Sequence, residues 1–231
     1  MQIAYNLINL PRQALSLGEY AGEVPAPVNL VDPEGKKWKT DEDKNKANKI
    51  KKDSEKKLNK IQRDINKAQT KLNKKPSSKK RQSKLNMLKQ QEKQIMSFID
   101  GIDKLTTSSN TYTFISPSHS NTNNPNLYYR SQDIEYKRTG FLRKNNFGEI
   151  EINYIDNSSN IYHETQHAIQ HELGKLKIFK DQYVNTSRET KLRNEVEAYQ
   201  IEYIFNSNFN PALGINSFGD INIELMEKLG Y

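Results

Sequence analysis

Residues 149–174 read EIEINYIDNSSNIYHETQHAIQHELG, a strand pattern that runs into a helix pattern. Glu149 to Ile155 alternates polar and apolar residues, the pattern of a half-buried strand. Asp156-Asn157-Ser158-Ser159-Asn160 then offers side chains suited to a helix N-cap. Ile161 to Leu173 predicts a helix, and Gly174 its stop. On that helix His163 and His167 stand one turn apart on one face, so both imidazoles can reach a single zinc ion. Glu164 lies at the edge of the same face. It can take a proton from water activated by the ion and pass it to a leaving amine without being a ligand. Three of the four histidines fall within nine residues here, which an ordinary surface helix seldom shows.

A zinc site of this type needs a third protein ligand. His171 is the nearest in sequence, but it lies about 12 Å along the helix axis from His163. Ligands on three successive turns cannot converge on one ion at about 2 Å. The next predicted helix, Ser187 to Phe205, carries Glu195-Val196-Glu197-Ala198-Tyr199. Glu195 and Glu197 are two residues apart, so only one can face the metal. Ala198, Tyr199 and Glu202 share the face of Glu195, and a small residue there permits close helix packing. Glu195 is therefore preferred and Glu197 is kept as the alternative. Tyr199 could donate a hydrogen bond to a ligand or to a substrate oxyanion.

Upstream of the strand, Thr111 to Ile115, Leu127 to Tyr136 and a segment starting at Gly140 read as further strands of a small antiparallel sheet. Residues 106–131 otherwise have loop composition, and His119 in that loop is expected to face solvent. Residues 42–105 read as a helical hairpin. Leu58, Ile61, Ile65, Ala68 and Leu72 form one seam, Pro76-Ser77-Ser78 breaks it, and Leu85, Leu88, Ile95, Ile99 and Ile102 resume it. Residues 208–216 read as a loop and Ile221 to Leu229 as a short closing helix.

The net charge of +8 is unevenly spread. Lys36 to Lys93 holds 22 Lys or Arg against 7 Asp or Glu, whereas Thr107 to Tyr231 holds 12 against 15. The basic character belongs to the hairpin, which could touch an anionic surface, although aromatics for base stacking are missing from it. Cysteine is absent, so any metal must use His, Asp or Glu. No run of 18 apolar residues exists to span a membrane. The first residues have neither a basic nor an apolar region, so no signal peptide is expected and export would use another route or a longer chain.

Two resemblances extend this reading. His163-Glu164-Thr165-Gln166-His167 followed by Glu195-Val196-Glu197-Ala198-Tyr199 resembles the gluzincins. The match implies His163, His167 and Glu195 as zinc ligands and Glu164 as general base. Position 199 departs from the Asp or Asn commoner there. Tyr5-Asn6-Leu7-Ile8-Asn9-Leu10-Pro11 resembles a unit of the Rhs (YD-repeat) proteins. Pro27 to Gly35, ending Asp32-Pro33-Glu34-Gly35, resembles the junction where an Rhs core meets its variable C-terminal tip, often a toxin. That resemblance implies delivery to a target cell as part of a larger protein and a small cognate immunity protein.

The expectation is thus an α+β chain in three parts: a tether over 1–40, a basic hairpin over 41–106 and a zincin-like domain over 107–231. The expected activity is zinc-dependent peptide-bond hydrolysis. Two readings stand beside it: a basic nucleic-acid- or membrane-binding module with a structural or vestigial metal site, and a zinc hydrolase acting on something other than protein.

Overall fold

The computed structural model describes residues 37–116, 140–154, 159–179, 182–185, 187–207 and 215–231. Residues 1–36 of the tether with both of its sequence resemblances, His119, the strand expected at Leu127 to Tyr136, most of the cap segment before Ser159 and the loop at 208–214 lie outside them.

The chain is α+β. Helix α1 (Asp41–Asn73) and helix α2 (Lys79–Thr107) form the antiparallel hairpin. Strands β1 (Tyr112–Ile115), β2 (Phe141–Lys144) and β3 (Ile150–Asn153) follow, then helix α3 (Asn160–Glu172). Strands β4 (Leu176–Phe179) and β5 (Gln182–Asn185) lead to helix α4 (Arg188–Phe205), a 3₁₀ turn (Phe218–Asp220) and helix α5 (Ile223–Lys228).

The sheet is mixed rather than antiparallel. Its order is β1-β3-β2, with β1 parallel and β2 antiparallel to the central β3. A tight turn at Asn145–Gly148 forces β2 and β3 to run oppositely, and Gly148 supplies the positive φ of 83° that the turn requires. β1 is joined to β2 by a long connection instead, which leaves it free to lie along the far edge of β3. The central position also explains why β3 is buried at every residue and not half-buried. Glu151 on it is neutralised by Arg143, its cross-strand partner on β2. A second correction is the β4–β5 hairpin, which the sequence reading leaves unassigned. Its two runs are separated by Lys180-Asp181, which lacks the Gly or Asn that usually marks a two-residue turn.

α1 begins at a capping box: Thr40 Oγ1 accepts from Asp43 N (3.0 Å), and Asp43 Oδ2 accepts from Thr40 N (3.2 Å). The same carboxylate accepts from Phe114 N (2.7 Å) and Thr113 Oγ1 (3.1 Å), tying the start of α1 to β1. Trp38 bridges to Tyr112 and stacks on Phe114. The seam residues predicted for the hairpin are buried or half-buried, but they serve two clusters. Ala68, Leu72, Leu85 and Leu88 form a small core near the turn. Ile61, Ile95 and Ile102, together with Ile50 and Phe98 from outside the predicted seam, join Ile150, Ile152, Ala168, Ile169 and Ile201 in the main core. The basal half of the hairpin is therefore part of the body that carries α3 and α4, and Gly35–Tyr231 forms one compact unit. Gly101 makes this possible: any Cβ there would collide with Ile169 of α3.

Candidate metal centre

α3 ends where the sequence places its stop. Gly174 adopts φ 71°, and Gly174 N and Lys175 N donate to the carbonyls of His171 and Gln170. At the other end Ser159 does not cap the helix with its side chain. Its hydroxyl donates instead to Glu202 Oε1 of α4 (2.9 Å). The helix between is buried from His163 to Gln170, because α2, β3 and α4 all pack on it. Ala168 and Ala198 are both fully buried, and α3 and α4 pack against each other.

That packing brings three donor atoms together. His163 Nε2 and His167 Nε2 are 3.1 Å apart, and Glu195 Oε2 lies 3.7 and 3.6 Å from them. The point equidistant from the three atoms and in their plane lies about 2.0 Å from each, and points just off the plane lie only slightly farther, close to the length of a Zn–N or Zn–O bond. Tetrahedral coordination at that length sets donors about 3.3 Å apart, within the spread observed. His163, His167 and Glu195 could thus hold one metal ion. Their residue types fit a borderline-soft divalent ion.

The surroundings favour a cation as well. Glu164, Glu195 and Glu202 are all buried around the two histidines. Among the described residues, no Lys or Arg forms an ion pair with Glu164 or Glu202. Two buried carboxylates without a fixed cation are costly unless something positive lies between them.

Hydrogen bonds fix the ring of His167. Gln170 Nε2 donates to Asn194 O (2.9 Å) and to Glu197 Oε2 (3.0 Å), so its carbonyl oxygen must face the imidazole. Nδ1 of His167 lies 2.8 Å from that oxygen and is therefore the protonated nitrogen. The lone pair of Nε2 is left pointing into the site. Glu197 also binds Lys175 (2.8 Å), so it anchors Gln170 from outside while Glu195 faces inward. For His163, Nδ1 is 3.3 Å from Glu202 Oε2, a charge contact and not a well-aligned hydrogen bond.

The carboxylates are driven in opposite directions. Burial works against ionising Glu195, but His167 and His163 outweigh it and hold its pKa below 4.5. Burial raises Glu164, against the pull of the same two histidines and with repulsion from Glu195. Its Oε1 accepts from Asn160 Nδ2 (3.2 Å). One carboxylate is thus held in its anionic form and the other is pushed toward its protonated form. Burial also opposes charge on His163, yet Glu195, Glu202 and Glu164 raise its pKa to about 10, so a proton competes with a metal ion there.

The ring of Tyr199 packs edge-on against His163 (centroids 4.6 Å, 79°), and its hydroxyl meets that of Tyr231 at 2.7 Å. His171 lies outside the cluster, with Nδ1 3.2 Å from the carbonyl oxygen of Leu176. Sequence reading misses the parts played by Gln170, Ser159, Tyr231 and Gly140. Gly140, just before β2, lies so close to Asn160 and Glu164 that no Cβ would fit. Glu202 is seen in the sequence only as a residue sharing the face of Glu195. A carboxylate two turns beyond a candidate ligand is the signal that could have given it a role.

Comparison with protein families, curated proteins and solved structures finds no match.

Proposed function

We propose that this protein is a zinc-dependent hydrolase that cleaves peptide bonds. The observation that carries the reading is the convergence of His163 Nε2, His167 Nε2 and Glu195 Oε2 on one sphere of bond-length radius, with a buried glutamate of opposite tuning beside them. Three protein ligands leave a fourth position, as catalytic zinc sites do and closed structural sites do not. Zinc there would supply Lewis acidity, lowering the pKa of a coordinated water from 15.7 to roughly 7.

The protein's own groups do the rest. Glu164 takes the proton of the attacking water and delivers it to the leaving amine, a cycle helped by its raised pKa. Glu195 stays ionised. Gln170 keeps the proton of His167 on Nδ1, and Glu202 faces Nδ1 of His163. On this reading the domain is zincin-like, of the gluzincin kind. The sequence of residues 5–35 supports its placement as the toxin tip of an Rhs-type protein, delivered into a recipient cell and blocked by a cognate immunity protein.

The test is zinc content together with proteolysis of a mixed protein pool. About one zinc per chain is expected, lost in a His163→Ala, His167→Ala double variant. Full occupancy in that variant would remove the site assignment. A zinc-loaded protein that opens no peptide bond would remove the substrate class and leave the metal site standing.

A further inference from the structure

We infer that the solvent face of α1 is a docking surface for the phosphate backbone of a nucleic-acid duplex, independent of whatever the metal centre does. The surface is a single stripe. Lys52, Lys56, Lys60, Arg63, Lys67 and Lys71 follow one another at three or four residues, opposite the apolar seam, and all are exposed. They span about 28 Å of helix at one cation per turn. Lys49 and Lys74 extend the row at either end. The acids that reach it, Asp53 and Asp64, sit at its flank and bind only Lys56 (2.9 Å) and Lys67 (3.8 Å).

A merely solvated helix face gains stability by alternating Glu and Lys at i, i+4. This one does the reverse, placing cations four apart at 52/56, 56/60, 63/67 and 67/71, where like charges repel. The far side of the hairpin turn repeats the pattern. The first turn of α2 holds Lys79, Lys80 and Arg81 and no acid, although a helix N-terminus favours acids. No Asp or Glu occurs from Ile65 to Gln91. Self-repulsion retained along a straight line is what a linear polyanion would relieve.

The partner follows from what else the stripe lacks. It carries no aromatic side chain, so it does not stack bases and would contact phosphates without regard to sequence. A membrane is disfavoured by the opposite face. Helices that lie in a bilayer interface bury their apolar side in lipid, but the apolar side of α1 is already packed on α2 and the core.

The experiment is fluorescence anisotropy of a labelled duplex of about 20 base pairs, titrated with the full chain over a salt series. Micromolar binding at low salt is expected. If about five phosphates are engaged, log K should fall with log salt at a slope of about −4.5. Replacing Lys60, Arg63, Lys67 and Lys71 by Gln should flatten the slope by roughly 3.6 and weaken binding at least about 100-fold at low salt. A control with Lys177, Arg188, Arg193 and Lys228 replaced by Gln loses the same formal charge and should change affinity less than about threefold. Helicity and melting temperature report that each variant is folded, and Lys67→Gln alone should change the slope by about 0.9. The inference is overturned if the parent does not bind the duplex at low salt, or if the control weakens binding as much as the stripe variant. It is equally overturned if the stripe is needed for binding phosphatidylserine vesicles and not for the duplex.

Discussion

Glu195 and Glu202 stand seven residues apart on one face of α4, and both face His163, the first 3.7 Å from Nε2 and the second 3.3 Å from Nδ1. One helix thus presents a carboxylate to each of the two ring nitrogens of His163. The spacing is two helical turns, which restores the same direction in space. Ser159, from the start of α3, holds Glu202 in place.

Removing the charge at position 202 should therefore weaken metal binding without abolishing it. Glu202→Gln keeps the volume and the bond to Ser159 but no longer favours a proton on Nδ1 of His163. Loss of such a partner commonly lowers metal affinity about 10–100-fold. Zinc affinity by chelator competition is the measurement. An unchanged constant would mean that the contact at 3.3 Å does not orient the ring.

Gln170 should behave differently from Glu202, because it acts through a neutral amide. Gln170→Leu leaves Nδ1 of His167 without its partner and removes the link to Glu197 and Asn194. In the metal-free protein, nitrogen chemical shifts of His167 should move from a single tautomer toward a mixture. Zinc affinity should fall by about 10-fold or more. A single tautomer in the variant would show that something else fixes the ring.

For Glu164 the expected split is between metal and rate. Glu164→Gln retains size and hydrogen bonding while removing the base. Zinc content and melting temperature should stay near those of the parent, and turnover should fall by roughly 10²–10⁴. Loss of zinc would make Glu164 a ligand, and near-normal turnover would assign the proton transfer to another group.

The centre was more legible in the sequence than the scaffold. His163 and His167 are read from a spacing of four on one helix, which is local geometry. Glu195 is separated from Glu197 by asking which position shares a face with Ala198. The partners of Gln170 are tertiary: its amide bridges His167 to Asn194 and Glu197 on another helix, and no spacing announces that. The direction of β1 could not be read either, since strand pairing across a long connection is set by which edge of β3 is free. The seam from Leu58 to Ile102 predicted pairing of α1 with α2, but periodicity cannot say that Ile95 and Phe98 also reach α3 and α4.

The shared core makes a stability prediction. Phe98 is fully buried and lies 6.5 Å from the ring of Tyr162, next to His163, and 6.3 Å from that of Phe205. Phe98→Ala should cost about 3–5 kcal/mol. Leu72→Ala, in the small cluster near the hairpin turn, should cost about 2–3 kcal/mol and leave zinc affinity unchanged. Deleting residues 42–105 should give no folded protein. A soluble, zinc-loaded deletion variant with a cooperative melt would show that the sheet and α3–α4 stand without the hairpin.

Stability in acid should depend on Glu172 at the end of α3. Its Oε2 accepts from Ser108 Oγ (2.6 Å), Tyr112 Oη (2.8 Å) and Asn110 Nδ2 (3.2 Å), joining α3 to the end of α2 and the start of β1. Burial opposes its ionisation, but these three donors outweigh burial and hold its pKa below 4.5. A carboxylate with a depressed folded pKa contributes stability that is fully present above the unfolded value. That stability is lost as pH falls through the lower, folded value. Glu172→Gln removes this titration, so its melting temperature at neutral pH should be lower than the parent's, and the gap should close as the pH drops from about 5 toward 3. Tyr112→Phe removes one of the three donors and should cost about 1.5–3 kcal/mol at neutral pH, less in acid. Melting curves across that pH range decide it: a gap between Glu172→Gln and the parent that stays constant down to pH 3 would mean that the cluster is held by shape and not by the charge of Glu172.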